Sequence, residues 1–425
     1  MIFQKITSKL LKNKSFIDSG SVLIDQGLMS LATFIIGVLV ARSVSVDDYG
    51  IFVLGWSLVL TIQGIQRGLV VLPFTVYCPK MSASEKGQHL GNGLIHTLIL
   101  GLISLALFTL ATAQNTDESS ELGKLLQALP LISLVILPFL LREQLRSTAL
   151  AKLDFLGSAK SNISASLLII AGATLLYQKQ LLTLNNAYIL IALISFFASL
   201  LLLYRQKSHL KIKIRALWPD LKHNFKIGKW ILINAITYTL LTQAYPWLLL
   251  WFQDQSTVAA YGACLAIAGA LNPLLRGVTT YALPRMSHGH NDNPEALMRM
   301  LWKTVTILAI PFSLWTILGS IFAEQIMNFF YTDKYAGYGL VLSLLILKTL
   351  IESLSAPLIS ALQAIHRPDI NTGSLAIGAL ITITLGTYLT KEFGLIGVGI
   401  AAVSATLITS LWRLYFIRKL YKDTV

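Results

Sequence analysis

The sequence predicts an all-α polytopic membrane protein with twelve transmembrane helices, in two six-helix lobes related by a pseudo-two-fold axis along the membrane normal. Three observations predict this fold. Of the 425 residues, 55% are hydrophobic and only 13% are charged, a composition typical of membrane proteins. The apolar residues form long runs that are separated by short loops. Short motifs of the first half recur in the second half, which indicates an internal repeat.

Twelve apolar runs are long enough to cross a bilayer, because a membrane-spanning helix needs about 20 apolar residues. The predicted spans are 19–42, 50–76, 91–113, 124–150, 158–177, 186–204, 229–251, 258–283, 299–323, 336–362, 371–390 and 394–417. We therefore divide the chain into a surface helix at 1–18, a lobe at 19–204, a basic linker at 205–228, a second lobe at 229–417 and a tail at 418–425. Only the linker leaves room for a small extramembrane element, which excludes a separate soluble catalytic domain.

The distribution of charge predicts the orientation of these spans. The net charge is +14, and most of the 34 lysines and arginines lie in the N-terminal segment, the loops after even-numbered spans and the tail. By the positive-inside rule these segments are cytoplasmic, so both termini are predicted inside. The basic excess thus reports topology and an attraction to anionic membrane lipids rather than nucleic-acid binding. The first 18 residues have lysines and apolar residues at helical spacing, which predicts a helix lying on the membrane surface.

The basic linker separates two blocks of six spans. Because six is even, both blocks start on the same side and form a parallel repeat. Asp48-Tyr49-Gly50, at the start of span 2, resembles Ala260-Tyr261-Gly262 at the start of span 8. Arg67-Gly68 is followed by Pro-Lys-Met-Ser, and Arg276-Gly277 by Pro-Arg-Met-Ser. The spacing differs, since Arg67 precedes its proline by twelve residues and Arg276 by eight.

Arg67 and Arg276 each lie about half-way along a predicted span. An arginine at the centre of a bilayer costs roughly 2.5–3.5 kcal/mol on insertion scales, so it usually faces a water-filled cavity. The planar guanidinium matches phosphate oxygens in a bidentate geometry. The pair therefore predicts a cationic central chamber and the transport of an anionic molecule. The alternative is that each arginine is neutralised by a buried acid and serves packing alone.

Four further charged residues are candidates for the site. Arg142 and Arg146 share one face of span 4 and either line the cytoplasmic mouth, attracting a phosphate, or extend to the membrane interface. Lys348 and Glu352 are four residues apart in span 10 and either neutralise each other or take part in ion coupling.

Asp25 is a candidate ion-coupling residue in span 1. A carboxylate inside the membrane can take up a proton or Na⁺ as burial shifts its pKa. If the helix begins later than predicted, Asp25 is instead interfacial. The cysteines, Cys78 and Cys264, fall near opposite faces of the membrane and imply neither a disulfide nor a metal site. We therefore predict no cofactor other than a coupling ion, H⁺ or Na⁺.

The segments Phe34–Arg42 and Val46–Phe52, together with a basic N-terminus, twelve spans and a basic mid-chain loop, resemble the polysaccharide exporters. These are flippases for the lipid-linked oligosaccharides of O-antigen and exopolysaccharide. Their superfamily also contains the multidrug/toxin extruders and the lipid II flippase. The resemblance implies two lobes around a V-shaped cavity that opens to one side at a time. It implies an undecaprenyl-pyrophosphate substrate carrying a sugar repeat unit, moved to the periplasmic leaflet of a bacterial inner membrane, and polysaccharide polymerase machinery as a partner.

The resemblance also implies roles for individual residues. The lipid II flippase branch similarly uses arginines in its second and eighth helices, which Arg67 and Arg276 match, although that branch usually has fourteen spans. Multidrug extruders use an aspartate in the first helix, and Asp25 matches it by position.

Two other functions fit parts of the sequence. A multidrug/cation antiporter of the same superfamily is one, but its cavity should be acidic. A polytopic glycosyltransferase is the other, because Asp47-Asp48 lies in the first predicted periplasmic loop. Such enzymes need larger periplasmic loops, and we interpret these aspartates as the N-terminal cap of span 2. We therefore predict that the protein is not an enzyme.

Overall fold

A computed structural model describes residues 14–78, 81–113, 120–152, 154–207, 210–292 and 294–422. All regular structure within these ranges is helical. The α-helices are α1 Lys14–Ser43, α2 Val46–Gln66, α3 Leu72–Tyr77, α4 Ala83–Thr112, α5 Glu121–Ala151, α6 Phe155–Gln178, α7 Leu184–Gln206, α8 Leu217–Phe252, α9 Gln255–Ala268, α10 Asn272–Asp292, α11 Pro294–Ile321, α12 Ala323–Tyr331, α13 Gly339–Ala364, α14 Pro368–Ile381 and α15 Thr387–Lys422.

All twelve predicted spans lie in helices. Among the described residues, ten segments are long and apolar enough to cross a membrane. One of them, Pro368–Tyr421, covers two predicted spans, which are divided at Gly394 by its φ of 55° and ψ of −132°. The predicted span 229–251 lies within α8, which is not among the ten. The prediction of an all-α multi-pass membrane protein is confirmed.

The segments outside the two predicted lobes are described only in part. Most of the predicted surface helix at 1–18 lies outside the described residues, which begin at Lys14. The predicted tail is described as far as Lys422. In the predicted linker, residues 217–228 form the beginning of α8. This beginning packs on the first lobe, where Asn92 of α4 donates to Asp220 at 2.5 Å.

Side-chain caps begin several helices. Ser45 caps α2 by accepting from the Asp48 backbone N–H at 3.1 Å. The predicted capping role of Asp47 and Asp48 is therefore wrong in detail: both lie in the first turn of α2, where negative charge is favourable. In α4, Ser82 and Glu85 form a capping box. Hydrogen bonds from the Ser82 hydroxyl and backbone N–H lower the pKa of Glu85 below its ordinary value.

The helices of spans 2 and 8 are both interrupted close to their arginines. A π-helix, Arg67–Val71, separates α2 from α3, and a 3₁₀ turn, Gly269–Leu271, separates α9 from α10. Such irregular turns break the regular hydrogen-bond ladder, and π-turns occur frequently at functional sites. Each arginine therefore lies at or near a break in its helix, and the two breaks are of different kinds.

The two lobes meet where α2 crosses α9. A Cβ on Gly50 would lie 2.2 Å from the Gln255 carbonyl oxygen, and a Cβ on Gly262 would lie 2.3 Å from Val53 Cγ2. These glycines end the two Tyr-Gly motifs that recur in the sequence. In each half of the chain, the glycine of the Tyr-Gly motif thus allows its helix to approach the other lobe closely.

A second connection between the lobes, the reciprocal clamp, consists of Arg42 at the end of α1 and Lys334 after α12. Arg42 Nε donates to the Phe330 carbonyl at 2.5 Å. Lys334 Nζ donates to the carbonyls of Val44 at 2.8 Å and Arg42 at 2.9 Å. The last carbonyls of a helix lack intrahelical partners and carry partial negative charge. Each cation therefore satisfies the C-terminus of a helix in the other lobe.

Candidate functional site

A buried group of charged residues, the first-lobe charge cluster, consists of Asp25, Arg142, Glu143 and Arg146. Arg146 is within 3.4 Å of an Asp25 carboxylate oxygen and 3.3 Å of a Glu143 oxygen. Asn162 of α6 donates to the other Asp25 oxygen. Asp25 is 1% exposed, so it lies inside the lobe rather than at the interface.

The first-lobe charge cluster is electrically balanced, since its two arginines face two carboxylates. Arg142 and Arg146 are 5% and 6% exposed, so neither extends to the membrane interface. The Arg142 guanidinium lies over the Phe139 ring, 5.5 Å from its centroid. A buried charge is tolerated when it is paired and hydrogen-bonded. The cluster can hold a titratable carboxylate in a defined environment, whereas its contact with a substrate stays a prediction.

The second lobe contains a different arrangement, with a cavity of about 400 Å³. We call it the second-lobe cavity. Helices α8, α9, α10, α13, α14 and α15 contribute to its wall. Its charged lining residues are Lys348, Glu352 and Arg413. Lys348 Nζ donates to a Glu352 oxygen at 2.5 Å, which places the two residues in the predicted i,i+4 pair. Two cations against one carboxylate give the lining a positive charge.

Arg413 is a candidate site residue that the sequence analysis missed. It is 6% exposed and donates to Ser355 at 2.8 Å, Ser374 at 2.9 Å and Asn371 at 3.1 Å. It lies near the basic C-terminal tail, where arginines and lysines also act as a topology signal. Its position inside the predicted span 394–417 was the signal for a buried role.

The side chains of Arg67 and Arg276 are both exposed. Arg67 is within electrostatic range of Glu143 in the first lobe and Tyr238 in the second. Arg276 is within the same range of Tyr238 and Glu352, and it donates to Gln26 of the first lobe at 3.4 Å. Both arginines are thus within electrostatic range of Tyr238, and their exposure to a transport pathway stays a prediction.

The charges of this region do not balance. The cluster, the cavity and the interface together contain six cationic side chains and three carboxylates. A concave, low-dielectric region with an excess of one sign of charge raises the local concentration of counter-ions. Its geometry and charge therefore suit an anion. Among the described residues, no group of His, Cys, Asp and Glu has the arrangement of a metal site, and Cys78 and Cys264 are buried free thiols.

Tyrosines supply the aromatic surface of the second-lobe cavity. Tyr238, Tyr245 and Tyr261 all line it, whereas Trp251 is 81% exposed on the outside of the molecule. Aromatic side chains combine an apolar face with a polar tip. The cavity can therefore accommodate a ring with apolar faces and hydroxyl groups as well as a negative charge.

Comparisons with known proteins identify the fold. No protein-family model and no curated protein matches the sequence. A multidrug resistance MATE family transporter of the MOP superfamily, solved in an inward-facing conformation, is 13% identical with a TM-score of 0.77, covering 93% of this chain and 95% of that one. The lipid II flippase MurJ in an inward closed conformation is 18% identical with a TM-score of 0.71, covering 95% and 87%.

A third solved structure is a MOP superfamily transporter from Pyrococcus furiosus, whose binding pocket is described as having reversed polarity. It is 13% identical with a TM-score of 0.67, and 96% of each chain is covered. At these identities the likeness is one of fold. Over nearly its whole length, this multi-pass membrane protein has the fold of the MOP superfamily transporters.

Proposed function

We propose that this protein is a flippase that moves lipid-linked oligosaccharides, with undecaprenyl pyrophosphate as the lipid carrier, from the cytoplasmic to the periplasmic leaflet. The observation that carries the proposal is the excess of positive charge around the lobe interface and the second-lobe cavity, within a transporter fold. A pyrophosphate that crosses a bilayer must exchange its hydration for fixed donors. Arginine supplies such donors in a geometry that matches phosphate oxygens.

Each part of the site has a role in this proposal. Arg67 and Arg276 bind the pyrophosphate at the lobe interface, and the tyrosines of the second-lobe cavity pack against sugar rings. Asp25 in the first-lobe charge cluster takes up H⁺ or Na⁺ and biases the equilibrium between the inward-open and outward-open states. A bound ion shifts such an equilibrium only by its differential affinity for the two states.

The cellular setting follows from the same proposal. The protein resides in a bacterial inner membrane with both termini in the cytoplasm, and it operates between the enzymes that assemble the repeat unit and the polymerase that joins the units. The two lobes move relative to each other, and the linker at 205–228 connects them on the cytoplasmic side. The protein itself makes and breaks no covalent bond.

A liposome assay tests the proposal. Purified protein is reconstituted with a fluorescent undecaprenyl-pyrophosphate oligosaccharide, and dithionite is added outside to quench the exposed leaflet. We expect dithionite to quench more fluorescence than in protein-free liposomes, while a fluorescent phosphatidylcholine shows no such increase. Equal movement of phosphatidylcholine would indicate a general scramblase, and no movement of either lipid would contradict the proposal.

An antiporter for organic cations is the second candidate, and the buried Asp25 in the first helix is the observation that favours it. The same liposomes distinguish the two functions when they are loaded with ethidium and given a pH or Na⁺ gradient. Gradient-driven movement of ethidium together with a stationary pyrophosphate lipid would identify an antiporter. The positive charge of the site favours the opposite result, because it repels a cationic drug.

A further inference from the structure

The guanidinium of Arg413 is buried in the second lobe with neutral partners. Its hydrogen bonds go to Ser355 of α13 and to Asn371 and Ser374 of α14. Among the residues that the structure describes, no carboxylate forms an ion pair with it. Glu352 is within electrostatic range but is already bonded to Lys348 at 2.5 Å. Lys348 and Arg413 together carry two positive charges, and Glu352 carries one negative charge, so one positive charge is left without a counter-charge.

A purely structural role does not account for this charge. Hydroxyl and amide oxygens satisfy hydrogen-bond donors, but they leave the cation without a counter-charge, and burying an unpaired charge is costly. A neutral side chain such as glutamine would link the three helices without that cost. Buried charges of this kind inside a membrane mark binding sites and transport pathways.

Arg413 also has space beside it for a ligand. It lines the second-lobe cavity together with Lys348, Asn371, Thr406 and Thr409. The volume of about 400 Å³ lies in the range of small-molecule sites. The hydrogen bonds from Arg413 to α13 and α14 fix the position of its guanidinium in the wall of this cavity.

We propose that Arg413 and Lys348 form an anion subsite inside the second lobe, separate from the two arginines at the lobe interface. It binds an oxyanion of the transported molecule, either a phosphate of the lipid carrier or the carboxylate of an acidic sugar. The identity of the ligand rests on the proposed function, whereas the presence of an anion site in the cavity does not.

Charge-selective thiol labelling tests the subsite without any transport substrate. Thr406, which lines the cavity, is replaced by cysteine in a Cys78→Ser, Cys264→Ser background. The labelling rate is measured with an anionic sulfonate reagent and with its cationic trimethylammonium analogue, each relative to free cysteine. The positive charge of the cavity should concentrate the anionic reagent near the cysteine, so its relative labelling rate should exceed that of the cationic reagent by roughly tenfold or more. Equal relative rates in this parent protein would overturn the proposal.

Two substitutions of Arg413 separate its charge from its structural contacts. Arg413→Gln keeps a hydrogen-bonding group and removes the charge, so we expect the preference for the anionic reagent to fall by several-fold. Arg413→Lys keeps the charge but loses the planar guanidinium that donates to α13 and α14, so we expect the preference for the anionic reagent to remain. Size-exclusion chromatography in detergent confirms that each variant is folded. A preference that Arg413→Gln leaves unchanged would refute the role of Arg413.

Protection from labelling identifies the source of the anion. Glucuronate represents a sugar carboxylate, inorganic pyrophosphate represents the lipid carrier, and glucose is the neutral control. Slower labelling with glucuronate alone indicates an acidic sugar, and slower labelling with pyrophosphate indicates the carrier phosphate. Protection by neither anion, or equal protection by glucose, would contradict the subsite. If the liposome assay fails while these results hold, the proposed substrate is wrong and the anion subsite stands.

Discussion

Replacing Arg67 by alanine should reduce transport about a hundredfold while leaving the protein folded. Among the described residues, the Arg67 side chain makes no hydrogen bond, so its removal leaves no buried group without a partner. Arg146→Ala is the contrasting change, because it removes the arginine that pairs with Asp25 and Glu143. Leaving a buried charge without its partner costs about 3–5 kcal/mol. We therefore expect Arg67→Ala to reach normal membrane levels and Arg146→Ala to fall well below them.

The size of the transport defect follows from the donors that are lost. A bidentate contact with a phosphate comprises two charge-assisted hydrogen bonds, and hydrogen bonds to charged groups are worth about 1.5–3 kcal/mol each. Taking the lower value for both bonds gives about 3 kcal/mol, which corresponds to roughly a hundredfold loss of transport rate. Arg67→Lys should retain only part of the transport rate, since lysine keeps the charge and loses the bidentate geometry of the guanidinium.

The assay is the dithionite-quenching rate in liposomes, normalised to reconstituted protein, and surface polysaccharide in cells whose only copy is the variant. Arg276→Ala should behave like Arg67→Ala, because Arg276 occupies the corresponding position in the repeat. Arg205→Ala is the matched control: it removes an exposed arginine paired with Asp154, and such surface pairs are worth about 0–1 kcal/mol. Undiminished transport by both interface variants would refute the cationic-site mechanism.

Three further outcomes are expected. Asp25→Asn should remove the dependence of transport on pH or Na⁺, and an unchanged dependence across either series would exclude Asp25 from coupling. Lys334→Met should open the reciprocal clamp, so the buried Cys264 should react several-fold faster with an impermeant thiol reagent. The control Lys391→Met should leave that rate unchanged. Equal rates in the two variants would show that the clamp does not limit the access of the reagent to Cys264. Gly50→Ala should destabilise the protein by about 1–3 kcal/mol by overpacking. Gly27→Ala should be tolerated, because nothing lies within 4 Å of its added Cβ. Equal melting temperatures of the two variants would contradict the close crossing of α2 and α9.

The spans could be predicted because lipid imposes a strong and simple constraint on the chain. Each crossing needs a long apolar run, and each loop between runs is short. Even α8 was predicted, although its polar residues keep it outside the ten apolar segments. The i,i+4 contact of Lys348 and Glu352 could likewise be read from helical spacing.

The charged interior was harder to predict, because sequence does not show on which face of a helix a side chain lies. Burial of Arg142 and Arg146 depends on Asp25 and Glu143, and Asp25 lies on a helix distant in sequence. Arg413 is near a basic terminus, where a topology signal and a buried charge look alike. The substrate contacts predicted for Arg67, Arg276, Arg142, Arg146 and Lys348, and the coupling roles of Asp25 and Glu352, stay predictions.

The π-helix at Arg67 has a consequence for how the two halves diverged. A π-turn accommodates one more residue than an α-turn without ending the helix, so a single-residue insertion becomes a local bulge instead of rotating everything beyond it. In the first half Arg67 precedes the proline of the Pro-Lys-Met-Ser motif by twelve residues, and in the second half Arg276 precedes the proline of the Pro-Arg-Met-Ser motif by eight. The one-residue bulge covers part of the four-residue difference, and the remaining three residues correspond to nearly one α-helical turn, which changes the direction of the side chains beyond it only slightly. Deleting one residue within 67–71 should be tolerated better than deleting one in the regular part of α2.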